Sequence, residues 1–415
     1  MFPFEQILWL LIRGSLSVLW EPLFWMMLAL VGYQYWQLQR NQIRMFGFSN
    51  YTLKNQLILA GVYGLAGGLF GSFLLTGVGL TLNQIGLSYI WPVAIALMLV
   101  HMRFLCFAYA GGLVALSSAL LGWPQVNIPH VIALVAILHI TESILIFISG
   151  RYSAVPLIMQ RDDGRLIGAF SLQNFWPLPL VLLAAVAVPE AAYPDSGVIK
   201  MPDWWPLLPL NLDVSEGHRW IYTIMPVVAA LGYSDVAIAS SPAERRRRSA
   251  FHLLLYSMVL LALALLAARY PWLQTVAALA SPFGHELLIQ LDNRREFKGV
   301  PRFVPPPQGV MILDTVVDSP ARRVGLKAGD IITQIDEYPV NSGFELARAL
   351  NYVPTAFTVH IERQAVRQSL PLRFAADRRM LGVILVPEGH EQQYVTMANE
   401  RLWLFDWLKR KFNYR

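Results

Sequence analysis

Apolar segments long enough to cross a membrane fill the first 290 residues and constrain the fold more than any other feature. A membrane-spanning helix needs about 17–25 mostly apolar residues. The chain is 55% hydrophobic and only 14% charged, whereas soluble domains carry about 25% charged residues. Because the charge deficit is concentrated before residue 290, the sequence predicts a transmembrane domain over 1–291, a second domain over 300–386 and a tail over 387–415.

About eight segments are predicted to span the membrane as helices. They are 22–36, 57–79, 90–101, 104–121, 129–150, 166–188, 220–233 and 249–268. The first is short, so part of the preceding segment 7–20 is expected to lie in the interface. A further stretch, 272–291, could also cross, but it contains His285 and Glu286, which are costly in lipid unless they face protein or water.

Basic residues fall in alternate loops, which predicts the orientation. They are Arg40, Arg44, Lys54, Arg103, Arg151, Arg161, Arg165 and the run Arg245, Arg246, Arg247, Arg248. By the positive-inside rule these loops are cytoplasmic and the N-terminus is external. We expect the four arginines to set topology and to bind anionic lipid head groups. The net charge of +6 therefore points to the membrane surface, with no nucleic-acid partner.

The side of the membrane that the second domain occupies depends on 272–291, because eight spans from an external start would leave it outside. The tail 401–415 places Phe405, Leu408 and Phe412 on one helical stripe beside basic residues. Such a basic amphipathic helix suits an anionic inner leaflet. We therefore expect a multi-pass protein of the bacterial plasma membrane with a cytoplasmic second domain. The alternative is a soluble tail that packs on that domain.

A compact motif marks the second domain: Ser319-Pro320-Ala321, Gly325-Leu326 and Gly329-Asp330-Ile331. It resembles a PDZ domain of bacterial strand order, which implies a small α+β fold that binds a peptide by adding it to a sheet edge. The residues predicted to bind the peptide are Val310, Met311, Ile312, Gly325, Leu326, Gly329, Asp330, Leu381, Gly382 and Val383. The alternative is a PDZ fold used only for packing.

Catalytic motifs are incomplete. His285-Glu286 begins the zinc-protease pattern H-E-x-x-H, but residue 289 is Ile. His139 and Glu142 share one helix face and are interpreted, like His285 and Glu286, as buried polar candidates. The single cysteine, Cys106, excludes an internal disulfide and a cluster of several thiolates. The sequence thus predicts a non-enzymatic protein without metal or cofactor; the alternative is a degenerate intramembrane protease or protease regulator.

Small residues at four-residue spacing occur in the second predicted span, as Gly64, Gly68 and the overlapping pair Gly67, Gly71. This spacing lets helix backbones approach closely. Either a neighbouring element of the same chain or a second copy could use that face, so a homo-oligomer is possible.

Several motifs together resemble the MinJ-like family of Gram-positive polytopic membrane proteins with a C-terminal PDZ domain. They are Arg161-x-x-Gly164-x-Leu166-x-Gly168, Phe175-Trp176-Pro177-Leu178-Pro179, Leu231-Gly232-Tyr233-Ser234-Asp235 and Pro282-x-Gly284-His285-Glu286. The resemblance implies a scaffold that positions cell-division or polarity proteins, with DivIVA-like and MinD-like proteins as partners.

Overall fold

The computed structural model describes residues 2–50, 52–149, 154–192, 197–210, 213–374 and 379–396. The predicted amphipathic helix 401–415 lies outside these residues. The N-terminal part consists of α1 Phe4–Ser17, α2 Pro22–Phe46, α3 Leu53–Val78, α4 Leu87–Val100, α5 Phe107–Leu121, α6 Ile128–Ile148, β1 Ala154–Gln160, β2 Leu166–Pro189, β3 His218–Ala237, α7 Pro242–Ala267 and α8 Leu273–Lys298.

Three helices of the described part, α3, α6 and α7, are long and apolar enough to cross a membrane. The pair α1 and α2, bent by 73° at its break, could supply a fourth span. Helices α4 and α5 have 14 and 15 residues, or about 21–23 Å, which is shorter than the roughly 30 Å hydrocarbon core. The described residues therefore contain several apolar helices but not the eight predicted spans.

Two predicted spans, 166–188 and 220–233, are not helices, and this is the main correction to the sequence-based fold. They form β2 and β3, which pair as a long antiparallel hairpin from Phe170 opposite Ala237 to Pro189 opposite His218. Most of β2 is buried on both faces. A strand buried on both faces is a continuous apolar run, and hydropathy cannot distinguish such a run from a membrane helix.

The backbone N–H groups on the outer edge of β2 find hydrogen-bond acceptors inside the apolar domain. Non-helical chain at membrane depth is tolerated only when its backbone groups are paired in this way. The N–H groups that point away from β3 donate to side chains: Phe175 to Tyr35 Oη (3.1 Å), Val181 to Ser72 Oγ (2.8 Å) and Ala185 to Asn83 Oδ1 (2.9 Å). Pro177 and Pro179 occupy the alternate positions between Phe175 and Val181 and have no N–H to satisfy. The sequence therefore adapts this edge to the interior of a helical domain.

The glycine face of α3 contacts the same chain. A Cβ on Gly64 would lie 2.1 Å from the Pro177 carbonyl oxygen, and one on Gly68 would lie 2.6 Å from that of Pro179. Gly67 and Gly71 lie against side chains of α6 and β2, namely Leu145, Thr141 and Leu180. The small residues thus allow α3 to approach the β2 backbone closely, and this contact is intramolecular.

Helices α7 and α8 form an antiparallel hairpin. Arg245 in the first turn of α7 contacts Asp292 near the end of α8. The chain therefore leaves α8 at the end of the bundle where α7 began. Along α8, Phe283, Leu287 and Leu291 are exposed at four-residue spacing. This apolar stripe is suited to contact with lipid, while His285 points into the bundle.

The C-terminal domain has the order of strands and helices that the motif predicted. Its elements are β4 Val310–Thr315, α9 Pro320–Arg323, β5 Ile331–Ile335, β6 Tyr338–Pro339, α10 Gly343–Tyr352, β7 Ala356–Arg363, β8 Val366–Arg373 and β9 Val383–Leu385. The main sheet has the order β8-β7-β5-β4-β9, with neighbouring strands antiparallel. A further strand, β10 Val395–Thr396, pairs in parallel with β1 of the N-terminal part.

One face of this sheet packs against the N-terminal part. Leu313, Ile384 and Val386 belong to the same buried apolar cluster as Phe170 and Trp176 of β2. In the loop between α2 and α3, Asn50 Nδ2 donates to Asp314 Oδ2 and to Thr315 O, both at 3.4 Å, and Asn50 Oδ1 accepts from Val317 N–H. Burial raises the pKa of the Asp314 carboxyl above its ordinary value.

Candidate functional site

One edge of the C-terminal sheet lies on β9, which pairs only with β4 among the described strands. Val383 is paired with Thr315, and the flanking Val316 N–H donates to Gly382 O. Bonds that flank a residue pair identify it as a non-hydrogen-bonded pair, whose own N–H and C=O groups point outward. The same reasoning applies to Leu385, because Val386 N–H donates to Met311 O. Val383 and Leu385 therefore present backbone groups to the open edge.

The loop before β9 directs two successive backbone N–H groups away from the domain's own hydrogen bonds. The carbonyl groups of Leu381 and Gly382 accept from Ala321 N–H (3.0 Å) and Val316 N–H (2.8 Å). In a planar trans peptide the next N–H points opposite to the carbonyl, so the N–H groups of Gly382 and Val383 point away from α9 and β4. Successive N–H groups of this kind can hold a carboxylate. Gly382 has φ of 75°, and a Cβ there would lie 2.3 Å from Ser319 Cβ.

Helix α10 begins beside the end of β9. Its first residue, Gly343, donates its N–H to Glu388 Oε1 (2.5 Å), and a Cβ on it would lie 3.2 Å from Leu385 Cδ1. Ser342 caps the helix by accepting from Glu345 N–H. Val383 and Leu385 direct their side chains to the core of the domain, while the alternating Ile384 and Val386 pack against the N-terminal part. The edge of β9 and α10 together outline a candidate peptide groove.

The other predicted peptide-binding residues lie elsewhere. Val310, Met311 and Ile312 are in β4, and both edges of β4 are occupied, by β5 and by β9, so these three residues, contrary to the prediction, offer no free strand edge to a peptide. Gly325 and Gly329 have φ of 82° and 89° and form turns. Leu326 packs in the core of the domain.

Asp330 has a structural role. It is 2% exposed and accepts two hydrogen bonds from Arg363, at 2.6 and 2.7 Å, and one from Lys327 N–H at 2.8 Å. Arg363 also donates to Gly325 O. The bond to Asp330 raises the pKa of the Arg363 guanidinium. This bidentate pair closes the turn before β5, and β4 separates β5 from β9 in the sheet.

The run of four arginines is only partly available to lipid. Arg245 is 2% exposed and its guanidinium pairs with Asp235 (2.7 Å) and Asp292 (3.7 Å). Arg246 is also buried, and Arg248 pairs with the fully buried Glu296. Arg247 is exposed. The prediction that all four bind head groups is therefore corrected, because burial and pairing withdraw Arg245 from the surface.

Glu296 of α8 holds the segment between β3 and α7 through its carboxylate. It accepts the backbone N–H groups of Ile238, Ala239 and Ser240 at 3.0, 2.9 and 3.1 Å, and the hydroxyl of Ser240 at 2.7 Å. These contacts hold the segment between β3 and α7 against the end of α8, next to the start of the C-terminal domain.

Two of the four buried polar candidates, the two histidines, lie next to each other. The sequence instead pairs each histidine with a glutamate of its own helix. His285 of α8 and His139 of α6 have ring centroids 5.1 Å apart. Glu286 turns away from them: it accepts from Tyr109 Oη at 2.6 Å and from Gln290, and it pairs with Arg103 at 3.5 Å. Arg103 thus lies beside the middle of α8, not in a basic loop at the end of the bundle as predicted.

Glu142 follows His139 by one turn of α6. Sequence reasoning found no third side chain near His139, but the structure places Cys106 there, with its Sγ 3.2 Å from His139 Nε2. Cys106 comes from a distant part of the chain and has no local motif, so its isolation in the sequence gave no signal of this contact.

Comparison with known proteins gives two matches. The family description of the PDZ domain matches residues 286–371. Over 403 aligned residues, covering 91% of this chain and 96% of the relative, the chain is 23% identical to the cell division topological determinant MinJ of Bacillus subtilis (strain 168). These matches support a MinJ-like family for this chain, with a PDZ domain at its C-terminal end.

Proposed function

We propose that this MinJ-like protein is a non-enzymatic membrane adaptor that positions cell-division or polarity proteins through its PDZ domain and cytoplasmic loops. The observation that carries the proposal is the edge of β9, where Val383 and Leu385 offer backbone groups beside α10. Strand addition of an extended peptide needs such an edge. By family resemblance the partners are DivIVA-like and MinD-like proteins.

The PDZ domain is proposed to face the cytoplasm. The α7–α8 hairpin returns the chain to the end that carries Arg245 and Arg248, and the loop that follows α2 and bears Asn50 lies at the same end. Arginines concentrate on the cytoplasmic side of membrane proteins. An adaptor with this orientation places its peptide groove next to the inner leaflet.

The alternative of an intramembrane protease has less support. In the H-E-x-x-H pattern the glutamate acts as the general base. Here Glu286 is held by Tyr109, Gln290 and Arg103, so its carboxylate is directed away from His285 and His139.

A proline at the β9 edge tests the adaptor. Leu385→Pro removes an outward N–H without removing a bond to β4, and the lost strand-addition bond is expected to mislocalise fluorescently labelled DivIVA-like and MinD-like proteins in the host cell. Arg373→Pro is the matched control, since Phe374 N–H donates to Thr355 O and so the N–H of Arg373 points outward from the opposite edge strand, β8. Normal partner localisation in a membrane-inserted, folded Leu385→Pro protein would contradict the proposal.

A further inference from the structure

Three side chains from three separate parts of the N-terminal domain meet at one point. Cys106 precedes α5, His139 lies in the middle of α6, and His285 lies in the middle of α8. One ligand atom from each lies within 4.8 Å of the others. We infer that Cys106, His139 and His285 form a binding site for one zinc ion within the helical domain.

The spacing of the donor atoms fits tetrahedral coordination. Cys106 Sγ is 3.2 Å from His139 Nε2 and 3.8 Å from His285 Nε2. With Zn–S of about 2.3 Å and Zn–N of about 2.0–2.1 Å, two tetrahedral ligands stand about 3.5 Å apart. The two sulfur–nitrogen distances bracket this value, so small side-chain movements would bring the three atoms around one ion.

The hydrogen bonds of the cluster prepare its atoms to bind metal. His139 Nδ1 is 2.7 Å from Val135 O. A carbonyl accepts only from a protonated nitrogen, so Nδ1 carries the proton and Nε2 keeps its lone pair for a ligand. Ala108 N–H donates to Cys106 Sγ at 3.4 Å, at the N-terminus of α5. This bond fixes the position of the sulfur beside His139 Nε2.

The imidazole of His285 has few polar partners among the described residues. Its Nδ1 is buried and has no hydrogen-bond partner within the described part of the chain, and its Nε2 faces Cys106. The aromatic rings of Tyr109 and Tyr256 pack against it, with centroids at 5.2 and 6.0 Å. A buried imidazole without polar partners is costly, and a metal bond at Nε2 would offset part of that cost.

The donor set specifies the class of metal. One thiolate and two imidazoles are ligands of borderline-soft ions, whereas Mg²⁺ and Ca²⁺ take oxygen ligands. Glu142, one turn beyond His139 on α6, is outside the group of ligand atoms that lie within 4.8 Å of one another, so a water would complete four-fold coordination. The H-E-x-x-H fragment at His285 lacks its second histidine in sequence, and His139 supplies that imidazole from another helix.

The ion would fix the connection between α4 and α5. Each of these helices is too short to cross alone, and the turn between them lies beside α8 through Arg103 and Glu286. A zinc bond from Cys106 to α6 and α8 would hold this turn at the centre of the bundle, because a structural site contributes directly to folding free energy.

The test uses the full-length protein, purified in detergent with an affinity tag that lacks histidine. Elemental analysis is expected to find about one zinc per chain in the wild type, with loss of most of it in Cys106→Ser and in His285→Ala. His130→Ala is the matched control: His130 is also buried on α6 but bonds to Pro209 O, so its variant retains the metal. Replacement of zinc by cobalt is expected to give a thiolate-to-cobalt charge-transfer band that Cys106→Ser abolishes.

A stability measurement distinguishes a built site from surface binding. A strong chelator is expected to lower the thermal midpoint of the wild type and of His130→Ala, and to leave that of Cys106→Ser unchanged. Wild-type protein that stays metal-free after incubation with zinc would overturn the inference. Equal zinc content in all four proteins would also overturn it, because it would show adventitious binding only.

Discussion

Arg245, in the first turn of α7, donates to the Asp235 carboxylate in β3 across 2.7 Å, and both side chains are largely buried. Asp292 of α8 stands on the other side of the same guanidinium at 3.7 Å. The pair therefore joins the β-hairpin to the helical hairpin at the end of the bundle from which the PDZ domain follows. Two residues of the arginine run that the sequence presents as a topology signal, Arg245 and Arg246, are here buried in the fold.

Arg245→Ala is expected to destabilise the protein by about 3–5 kcal/mol, because it leaves the Asp235 and Asp292 carboxylates without their buried partner. The lowered thermal midpoint can be followed by tryptophan fluorescence in detergent. Arg247→Ala is the control, since Arg247 is exposed and surface changes usually stay within about 0.5 kcal/mol. Equal stability of the two variants would show that the ion pair contributes nothing.

Gly64→Ala is expected to destabilise the contact between α3 and β2 by about 1–3 kcal/mol or more, as overpacking does, because the added Cβ would meet the Pro177 carbonyl oxygen. Gly61→Ala, on the same helix, meets no atom within 4 Å, so alanine there should be neutral or stabilising. Thermal unfolding of both variants measures the difference. If Gly61→Ala lowered the thermal midpoint more than Gly64→Ala, α3 would not lie on β2.

Asn50→Ala is expected to loosen the junction between the PDZ domain and the α2–α3 loop, because three hydrogen bonds to Asp314, Thr315 and Val317 are lost. These hydrogen bonds are long, so their loss should lower the stability of the junction by about 1–2 kcal/mol. Faster amide hydrogen exchange in β4 and β9 would report it. Asn55→Ala, at an exposed position of α3, should leave exchange unchanged; a matching increase there would disprove the role of Asn50.

Asp314→Asn is expected to stabilise the protein at neutral pH and to have little effect in acid. Burial raises the pKa of Asp314 from its ordinary 3.8, so its contribution to stability is fully present below that pH and is lost as the pH rises through the raised value. Thermal midpoints at pH 4 and pH 7 test this. The exposed Asp318→Asn is the control, and a pH-independent effect of Asp314→Asn would contradict the expectation.

A cysteine at Val300, which is 86% exposed, should be protected from a membrane-impermeant maleimide in intact cells, whereas one at Leu121, 78% exposed at the opposite end of the bundle, should react. This outcome follows from the proposed cytoplasmic PDZ domain. The unmodified protein, with its single Cys106, provides the background. Labelling at residue 300 would place the PDZ domain outside and remove the proposed contact with cytoplasmic partners.

The sequence by itself determined the two-part organisation and the PDZ motif, because long apolar runs and the Ser319-Pro320 helix start are local signals. It did not determine that 166–188 is a strand. Pro177 and Pro179 were the available sign, since prolines inside a helix break it, but only Tyr35 and Ser72 show where the neighbouring N–H groups of that edge are satisfied.

The tertiary structure decided both candidate sites. Which strand forms the open edge depends on β9 pairing beside β4, and the meeting of Cys106, His139 and His285 depends on the packing of three helices. Local patterns report periodicity and propensity, which act between near neighbours in the chain. Contacts between residues that are far apart in the chain are set by packing, and no local pattern encodes them.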